Sequence, residues 1–168
     1  MANEAKNILH VDVKTKKNDV NNFFKSIEGV MEHNGEKYDL IIDFQKIVPV
    51  SINYEDPCAC QEARFAAWGT KCCYTIGREK LDDNTIEFTT AWQGVPQLMQ
   101  ELSRQHPKIK LFFICEMSGT GINDEIGAYI FQGGEMLHEA YYENNPPLMN
   151  QNFSGQCIRQ LFFNDIEI

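Results

Sequence analysis

Apolar and polar residues alternate along residues 85–92, so that one side of an extended chain carries Ile86, Phe88, Thr90 and Trp92. Side chains of a β-strand point alternately to its two faces, and this pattern therefore predicts a half-buried strand that ends in a tryptophan. Alternation recurs in four further stretches, which are residues 7–14, 110–117, 128–131 and 136–142. The last two stretches are predicted to form a hairpin around Gly133–Gly134.

Three helices are predicted between these strands, and they begin at Asn18 or Asp19, at Asp56–Pro57 and at Gly94–Val95–Pro96. Asn and Asp side chains cap a helix by accepting a hydrogen bond from its first backbone N–H groups, and proline suits the first helical position. The apolar stripe of the first helix is Val20, Phe23, Phe24 and Ile27, with Met31 as an extension, and the buried stripe of the third is Leu98, Met99 and Leu102. Residues 38–48 are predicted to form one long strand that Pro49 stops.

This order of elements indicates an α+β fold in a single domain, residues 1–168, with a mainly antiparallel sheet and helices on one face. The leading topology is a ferredoxin-like split β-α-β arrangement over residues 7–120. Residues 121–168 are expected to form a C-terminal extension with the hairpin, extra strands and an acidic tail. Within it, residues 157–163 suit either a strand or a short helix.

The charge and composition of the chain argue against two classes of function, nucleic-acid binding and insertion into a membrane. Fifteen Lys and Arg stand against 24 Asp and Glu, a net charge of −9, which disfavours binding to nucleic acid. No apolar run reaches the roughly 20 residues of a membrane span, and residues 1–7 lack the pattern of a signal peptide. We therefore expect a cytoplasmic protein with no membrane partner, and in that reducing compartment the six cysteines are expected to be free thiols.

Several motifs stand in a recognisable order: Phe44-Gln45-Lys46-Ile47-Val48-Pro49, Trp68-Gly69-Thr70-Lys71, Thr89-Thr90-Ala91-Trp92, His106-Pro107, and Glu116 followed by Gly119. Together they resemble the YubB-like ferredoxin-like domain family, whose members are small proteins of phages, plasmids and other mobile elements with no established activity. The resemblance covers residues 7–120 and implies the fold and an accessory role in a mobile element. The chain departs from the family pattern at Cys72, where a third tryptophan is usual, and at Gln93–Pro96, where the family has a proline-rich turn.

The candidate binding residues of this motif region are Trp68, Lys71, Trp92 and Glu116. If the two tryptophans bracket Lys71 and Glu116, the ammonium group can keep a desolvated carboxylate charged, and such a pair is a candidate functional site. The alternative is a structural ion pair beneath two core tryptophans.

Three other motifs give weaker evidence for a metal site, a catalytic cysteine or a phosphate-binding loop. Cys58, Cys60, Cys72 and Cys73 lie close together but lack the paired C-x-x-C spacing of zinc sites. A cysteine hydrolase would need Cys73 or Cys115 beside His106 or His138. The Gly119-Thr120-Gly121 stretch lacks the Gly-Lys-Ser/Thr ending of a phosphate-binding loop. We therefore predict no catalytic residue, no metal and no cofactor.

Acidic residues are concentrated near the predicted hairpin, at Asp124, Glu125, Glu135, Glu139 and Glu143, and Tyr141–Tyr142 lies among them. This set is either a solvated edge or a protein-binding surface whose charge imitates a nucleic-acid backbone and attracts a basic partner. The main hypothesis is a non-enzymatic accessory module that binds a host protein through this acidic surface, with inhibition of a host nuclease or defence complex as its narrower form. The alternative is a small-molecule-binding protein or enzyme with a pocket at Trp68, Lys71, Trp92 and Glu116.

Overall fold

A computed structural model describes residues 4–33, 35–51, 56–71, 73–74, 80–117 and 125–143. In chain order the elements are β1 (Glu4–Val11), α1 (Lys17–Ile27), β2 (Gly29–His33), β3 (Glu36–Leu40), α2 (Phe44–Ile47), α3 (Pro57–Trp68), β4 (Cys73–Tyr74), β5 (Lys80–Asp82), β6 (Thr85–Ala91), α4 (Pro96–Gln105), β7 (Lys110–Met117), β8 (Glu125–Gln132) and β9 (Glu135–Glu143). The predicted α+β class is confirmed.

Among the described residues the main sheet has seven strands: six lie in the order β4-β6-β1-β7-β8-β9, and β5 pairs with β6 beside β4. Every pairing between the described strands of this sheet is antiparallel, with Asn7 of β1 opposite Phe88 of β6 on one side and Cys115 of β7 on the other. Strands β6 and β7 are therefore parallel to each other, joined by α4, and separated by β1. This is one split β-α-β unit of the kind that the sequence predicts.

A ferredoxin-like sheet interlocks two such units, and the described residues contain one. After α1 the chain forms β2 and β3, which pair only with each other in a separate two-stranded sheet. The prediction of one strand over residues 38–48 is wrong, because Asp43 accepts a hydrogen bond from Gln45 N at 3.0 Å and starts α2. A capping carboxylate in this place competes with the strand, and α2 then buries Phe44 and Ile47.

The core lies between one face of the main sheet and the helices. In β1 the residues at alternate positions, Leu9 and Val11, are fully buried, and the register carries the same parity to Phe88 and Phe113 on the neighbouring strands. A single apolar cluster joins this sheet face to Val20, Phe23, Phe24 and Ile27 of α1, Phe44 and Ile47 of α2, Trp68 of α3, and Leu98, Met99 and Leu102 of α4. The buried stripes predicted for α1 and α4 are confirmed.

Helix ends follow the sequence rules in two cases and depart from them in one. Asp56 caps α3 by accepting a hydrogen bond from Ala59 N at 3.0 Å, as predicted. Helix α4 ends at Gln105, with His106 as its C-cap directly before Pro107. Helix α1 instead begins after Lys16, whose side chain makes no cap hydrogen bond, and it ends at Ile27, which leaves Met31 in β2. In the part of the chain that the structure describes, no helix is long and apolar enough to cross a membrane.

The hairpin of β8 and β9 turns at Gly133 and Gly134, whose φ angles of 61° and 86° suit glycine. Helix α4 holds this turn: Gly134 N donates to Ser103 Oγ at 3.0 Å, and Gln100 Nε2 donates to Gly134 O at 2.9 Å. A side chain at position 134 would meet Arg104 within 2.9 Å. The edge strand is thus fixed to the helical layer, and the predicted hairpin is confirmed.

Candidate functional site

The end of α3 carries Trp68, whose side chain is 4% exposed in the core. Its indole Nε1 donates to Val48 O at 2.8 Å, and its ring packs edge-on against Phe44 with a centroid distance of 5.6 Å. The guanidinium carbon of Arg64 lies 5.8 Å from the indole centroid, within the range of a cation–π contact. Trp68 is therefore a buried core residue, which agrees with the structural alternative.

Two segments of the motif region meet directly after this tryptophan. Gly69 ends α3 with a positive φ of 76°, and Gly69 O then accepts a hydrogen bond from Gln93 Nε2 at 3.0 Å. Thr70 Oγ1 donates to Ala91 O at 3.0 Å. These bonds join the Trp68 segment to the end of β6. We call this contact the Trp68–Trp92 junction.

Trp92 itself does not continue the buried face of β6. The strand ends at Ala91, Gln93 N donates back to Ala91 O at 3.0 Å, and Trp92 between them has φ of 76°. A bond from residue i+2 to residue i around a positive φ defines the rarer kind of γ-turn, which is strained for a residue with a bulky side chain. The predicted strand position of Trp92 is wrong for this reason, and its side chain is 46% exposed.

A buried polar cluster lies beneath the γ-turn. Asn7 Nδ2 donates to Thr90 Oγ1 at 2.8 Å and to Ala5 O at 3.0 Å, while Thr90 Oγ1 donates to Gln93 O at 2.7 Å. Asn7 Oδ1 is buried and has no hydrogen-bond partner among the described residues. The only hint in the sequence is that asparagine takes the place of an apolar residue in the alternation that continues at Leu9 and Val11.

The backbone of Gly94 packs directly against this polar cluster. A side chain at this position would overlap Cβ and Sγ of Cys115 and would approach Asn7 Oδ1 to 3.2 Å. The backbone of the loop after β6 therefore rests directly on the sheet. Glycine is required here by close approach, and the junction over Asn7 and Cys115 is packed.

Lys71 is exposed, and Glu116 lies in β7, with its Cα opposite Ile126 of β8. Strand β1 stands between β7 and the β6 strand that leads to Trp92. The side chain of Glu116 lies outside the described residues, so the predicted pair with Lys71 stays a prediction. Lys71 follows Thr70, which bonds to Ala91 O, so the structure brings Trp68, Lys71 and Trp92 to one junction.

The described part of the predicted acidic surface falls on β9, the last strand of the main sheet among the described residues. Glu135, Met136, Leu137, Glu139 and Tyr141 are all exposed, and we call these five residues the β9 surface. Asp124 and the side chains of Glu125 and Glu143 lie outside the described residues. Tyr142 points to the opposite side of the strand from Tyr141 and is half-buried, so the two tyrosines do not form one patch.

Tyr141 belongs to a short hydrogen-bond chain. Its hydroxyl donates to Glu139 Oε1 at 2.6 Å, and Tyr129 OH donates to Tyr141 OH at 3.3 Å. The hydrogen bond to Glu139 is the main cause that raises the pKa of Tyr141 above 10.0, and burial is the main cause that raises the pKa of Tyr129. Both phenols therefore stay neutral, and Glu139 is held in place by a donor from its own strand.

Two cavities are formed by described residues away from the junction. One of about 440 Å³ lies between α1 and the end of α4, where His106 contacts Phe23 at a ring distance of 5.0 Å and Ser26 Oγ at 3.3 Å. Burial lowers the pKa of His106 below 6.5. The other, of about 1030 Å³, lies between α1, the β2–β3 hairpin and Lys80. No sequence motif predicted either cavity.

The cysteine hypotheses gain no support from geometry. Cys58 is exposed and Cys60 is buried, and no three potential metal ligands are grouped within the described ranges. Cys115 shares a sheet face with Asn7, whereas the register places His138 opposite Ile130 on the other face. A Cys115–His138 pair is therefore excluded. Cys72, the Cys73 side chain and the Gly119–Gly121 stretch lie outside the described residues.

Set beside models of known protein families, curated proteins and solved structures, the chain matches none of them. Fold and site together define an α+β protein with a helix-covered antiparallel sheet, an exposed acidic edge strand and a strained turn at Trp92. The resemblance to the YubB-like family stays a prediction from the motif residues.

Proposed function

We propose that this protein is a non-enzymatic, cytoplasmic accessory module of a mobile element, and that it binds a basic host protein through the β9 surface. The observation that carries the proposal is the position of β9 at the end of the main sheet, with β8 as its strand neighbour among the described residues. The edge of a strand offers unpaired backbone N–H and C=O groups to an extended segment of a partner.

The side chains of the β9 surface suit a protein partner. Met136, Leu137 and Tyr141 are 44%, 51% and 55% exposed, which is unusual for large apolar side chains on adjacent parts of one strand. Glu135 precedes Met136, and Glu139 lies between Leu137 and Tyr141. Apolar contact area surrounded by negative charge favours a partner segment that combines apolar residues with Lys or Arg.

Rigidity of the edge supports the same proposal. The Gly133–Gly134 turn is bonded to Ser103 and Gln100 of α4, and Tyr141 holds Glu139. A surface that is already ordered loses less conformational entropy when a partner binds. The net charge of −9 adds a long-range attraction for basic proteins that salt weakens.

The test is recovery of a partner from host lysate at low and high salt with matched variants. Leu137→Asp and Glu139→Lys alter the β9 surface. Leu81→Asp and Glu62→Lys make the same chemical changes at exposed positions on β5 and α3. We expect one partner to bind the wild type and both control variants, and to bind each β9 variant with roughly 30-fold lower affinity, the equivalent of about 2 kcal/mol at an interface hot spot.

Two results would contradict the proposal: no partner recovered at either salt concentration, or a partner that all four variants retain equally. The narrower form, imitation of DNA, has its own readout. Duplex DNA added to the preformed complex should displace the protein from its partner if both occupy the same basic groove. If DNA does not displace the protein, but Leu137→Asp abolishes the complex, the protein binds its partner without imitating DNA.

A second candidate function is small-molecule binding at the Trp68–Trp92 junction, favoured by the γ-turn that holds Trp92 exposed. Backbone strain of this kind is concentrated at functional sites and costs about 1–3 kcal/mol. The exposed indole of Trp92 and the exposed Lys71, which follows Thr70 in the same junction, suit an aromatic anion. A ligand at 100 times its Kd would raise the free energy of unfolding by about 2.7 kcal/mol. Metabolite screening by thermal shift should find such a compound, with the shift lost in Lys71→Ala and kept in Lys37→Ala.

A further inference from the structure

The cavity between α1 and the end of α4, which we call the α1–α4 cavity, is lined by described residues and has a volume of about 440 Å³. Small-molecule sites in proteins have volumes of about 300–1,000 Å³ and combine apolar lining with a few polar groups. Phe23 and Ile109 give the α1–α4 cavity buried apolar lining, and Pro107 adds to it. Asn22 and His106 supply polar groups. The cavity therefore has the size and the mixed lining of a small-molecule site.

The hydrogen bonds of Ser26 fix the tautomer of His106. Ser26 Oγ donates to Phe23 O at 2.6 Å and lies 3.3 Å from His106 Nε2. A serine hydroxyl has a single proton, so Ser26 Oγ accepts the hydrogen bond from His106. Burial lowers the pKa of His106 below 6.5, which keeps the ring neutral at pH 7. A neutral ring with its proton on Nε2 has an acceptor lone pair on Nδ1.

Neither contact of the His106 ring uses this acceptor. Among the described residues the ring contacts Ser26 through Nε2 and Phe23 edge-on, at a centroid distance of 5.0 Å. Asn22 is exposed, and its side-chain amide makes no hydrogen bond within the described part of the chain. An amide offers both donors and an acceptor. The cavity lining thus provides an acceptor on His106 and donors on Asn22.

The charges around the α1–α4 cavity favour an uncharged ligand. Asp19 and Lys108 are its charged lining residues, and their formal charges cancel. The whole chain has a net charge of −9, which repels anions at long range. A phosphorylated or carboxylated compound is therefore disfavoured.

We propose that the α1–α4 cavity binds a small, neutral nitrogen heterocycle. A ring N–H group of the ligand donates to His106 Nδ1, and a ring nitrogen accepts from the Asn22 amide. The flat ring contacts the apolar lining at Pro107 and Ile109. The inference goes beyond the proposed function, because the lining residues are separate from the β9 surface. Its test contains no protein partner, so either proposal can fail alone.

The first test compares two probe compounds on the full chain with labelled isoleucine methyl groups. Benzimidazole has a ring N–H donor and a ring nitrogen acceptor, and 1-methylbenzimidazole lacks the donor. Benzimidazole should shift the Ile109 methyl signal saturably and leave the buried core residues Ile42, Ile47 and Ile86 unchanged. The methylated compound should bind roughly tenfold more weakly, the equivalent of about 1.4 kcal/mol. No shift at Ile109, or equal affinity for the two compounds, would overturn the proposal.

The second test reads the imidazole directly. Long-range proton–nitrogen spectra show which nitrogen of each histidine carries a proton. In the free protein His106 should be protonated on Nε2, and benzimidazole should move the signal of its Nδ1. A proton on Nδ1 in the free protein, or an Nδ1 signal that benzimidazole leaves unchanged, would overturn the assigned hydrogen bond.

Matched variants complete the test. His106→Phe removes the acceptor and keeps an aromatic ring, and Asn22→Ala removes the amide. His138→Phe and Asn18→Ala make the same changes at residues outside the cavity lining. Each cavity variant should bind benzimidazole roughly tenfold more weakly, and each control should bind it as the wild type does. Equal affinity in all four variants would overturn the proposal. If His106→Phe unfolds the chain, the comparison of the two compounds on the wild type decides.

Discussion

Trp68 and Trp92 belong to one hydrogen-bonded junction, yet they differ in burial, in side-chain contacts and in backbone strain. Trp68 has apolar neighbours on its ring and a carbonyl partner for its N–H group. Trp92 lies on a strained γ-turn with almost half of its surface exposed. One indole stabilises the fold, and the other is held at the surface at a cost in backbone energy.

The contrast shows that two similar motifs can have opposite roles. Thr70 and Gln93 join the two segments by hydrogen bonds to backbone carbonyls. The indoles take no part in these bonds, so one can be buried while the other is exposed. The Asn7–Thr90 cluster then fixes the direction in which the chain leaves β6. The strain at Trp92 is therefore supported by buried polar bonds on the sheet.

The largest effect should come from Trp68→Ala. Removal of a buried indole is expected to lower the free energy of unfolding by about 3–5 kcal/mol, because it loses apolar burial and leaves a cavity beside Phe44. Trp68→Phe should cost less, since most of the ring contact stays while the bond to Val48 O is lost. Chemical denaturation of both variants gives these values. A loss below about 1 kcal/mol in Trp68→Ala would show that Trp68 is not a core residue.

The next effect concerns the polar cluster under the turn. Thr90→Val removes the hydroxyl that accepts from Asn7 and donates to Gln93 O, and the unpaired buried groups should cost about 1–3 kcal/mol. Thr90→Ser keeps the hydroxyl and is the matched control. Denaturant unfolding should rank Thr90→Ser above Thr90→Val. The opposite order would mean that the methyl group, and not the hydrogen bonds, matters at this position.

A smaller effect with a distinctive sign is expected at Trp92. At a positive φ glycine is unstrained and alanine is not, so Trp92→Gly should be more stable than Trp92→Ala by about 1 kcal/mol. Phe65 is the control, because it is equally exposed but lies within α3. There Phe65→Ala should be more stable than Phe65→Gly by about 1 kcal/mol. The same order at both positions would rule out the γ-turn.

The smallest effect is a pH dependence at the far end of α4 from the junction. Burial lowers the pKa of His106 in the folded protein below its ordinary value of 6.5. The unfolded chain therefore takes up a proton first, and stability should fall as the pH falls from above 6.5 through the lowered pKa. His106→Gln should remove this part of the slope of the unfolding midpoint against pH. An unchanged slope would show that His106 is not desolvated.

Much of the fold could be predicted because its signals are local. Alternation gave β7 and the β8–β9 hairpin, and an Asp–Pro pair gave the start of α3. The features that were missed depend on distant residues. Thr90 and Asn7 lie 83 positions apart, and no local pattern marks their bond or the turn that it supports. The two-stranded β2–β3 sheet was missed because the capping role of Asp43 outweighs the strand pattern over residues 38–48.

The central position of β1 has a consequence for the order of events during synthesis. Strand β1 has both of its described sheet partners, β6 and β7, much later in the chain, and Phe88 follows Asn7 by 81 positions. Its apolar side chains must wait until those partners emerge, and pairing between such distant segments is slow. Until then the apolar side chains of β1 lack their partners in the sheet, and exposed apolar strands of this kind favour aggregation of partly folded chains.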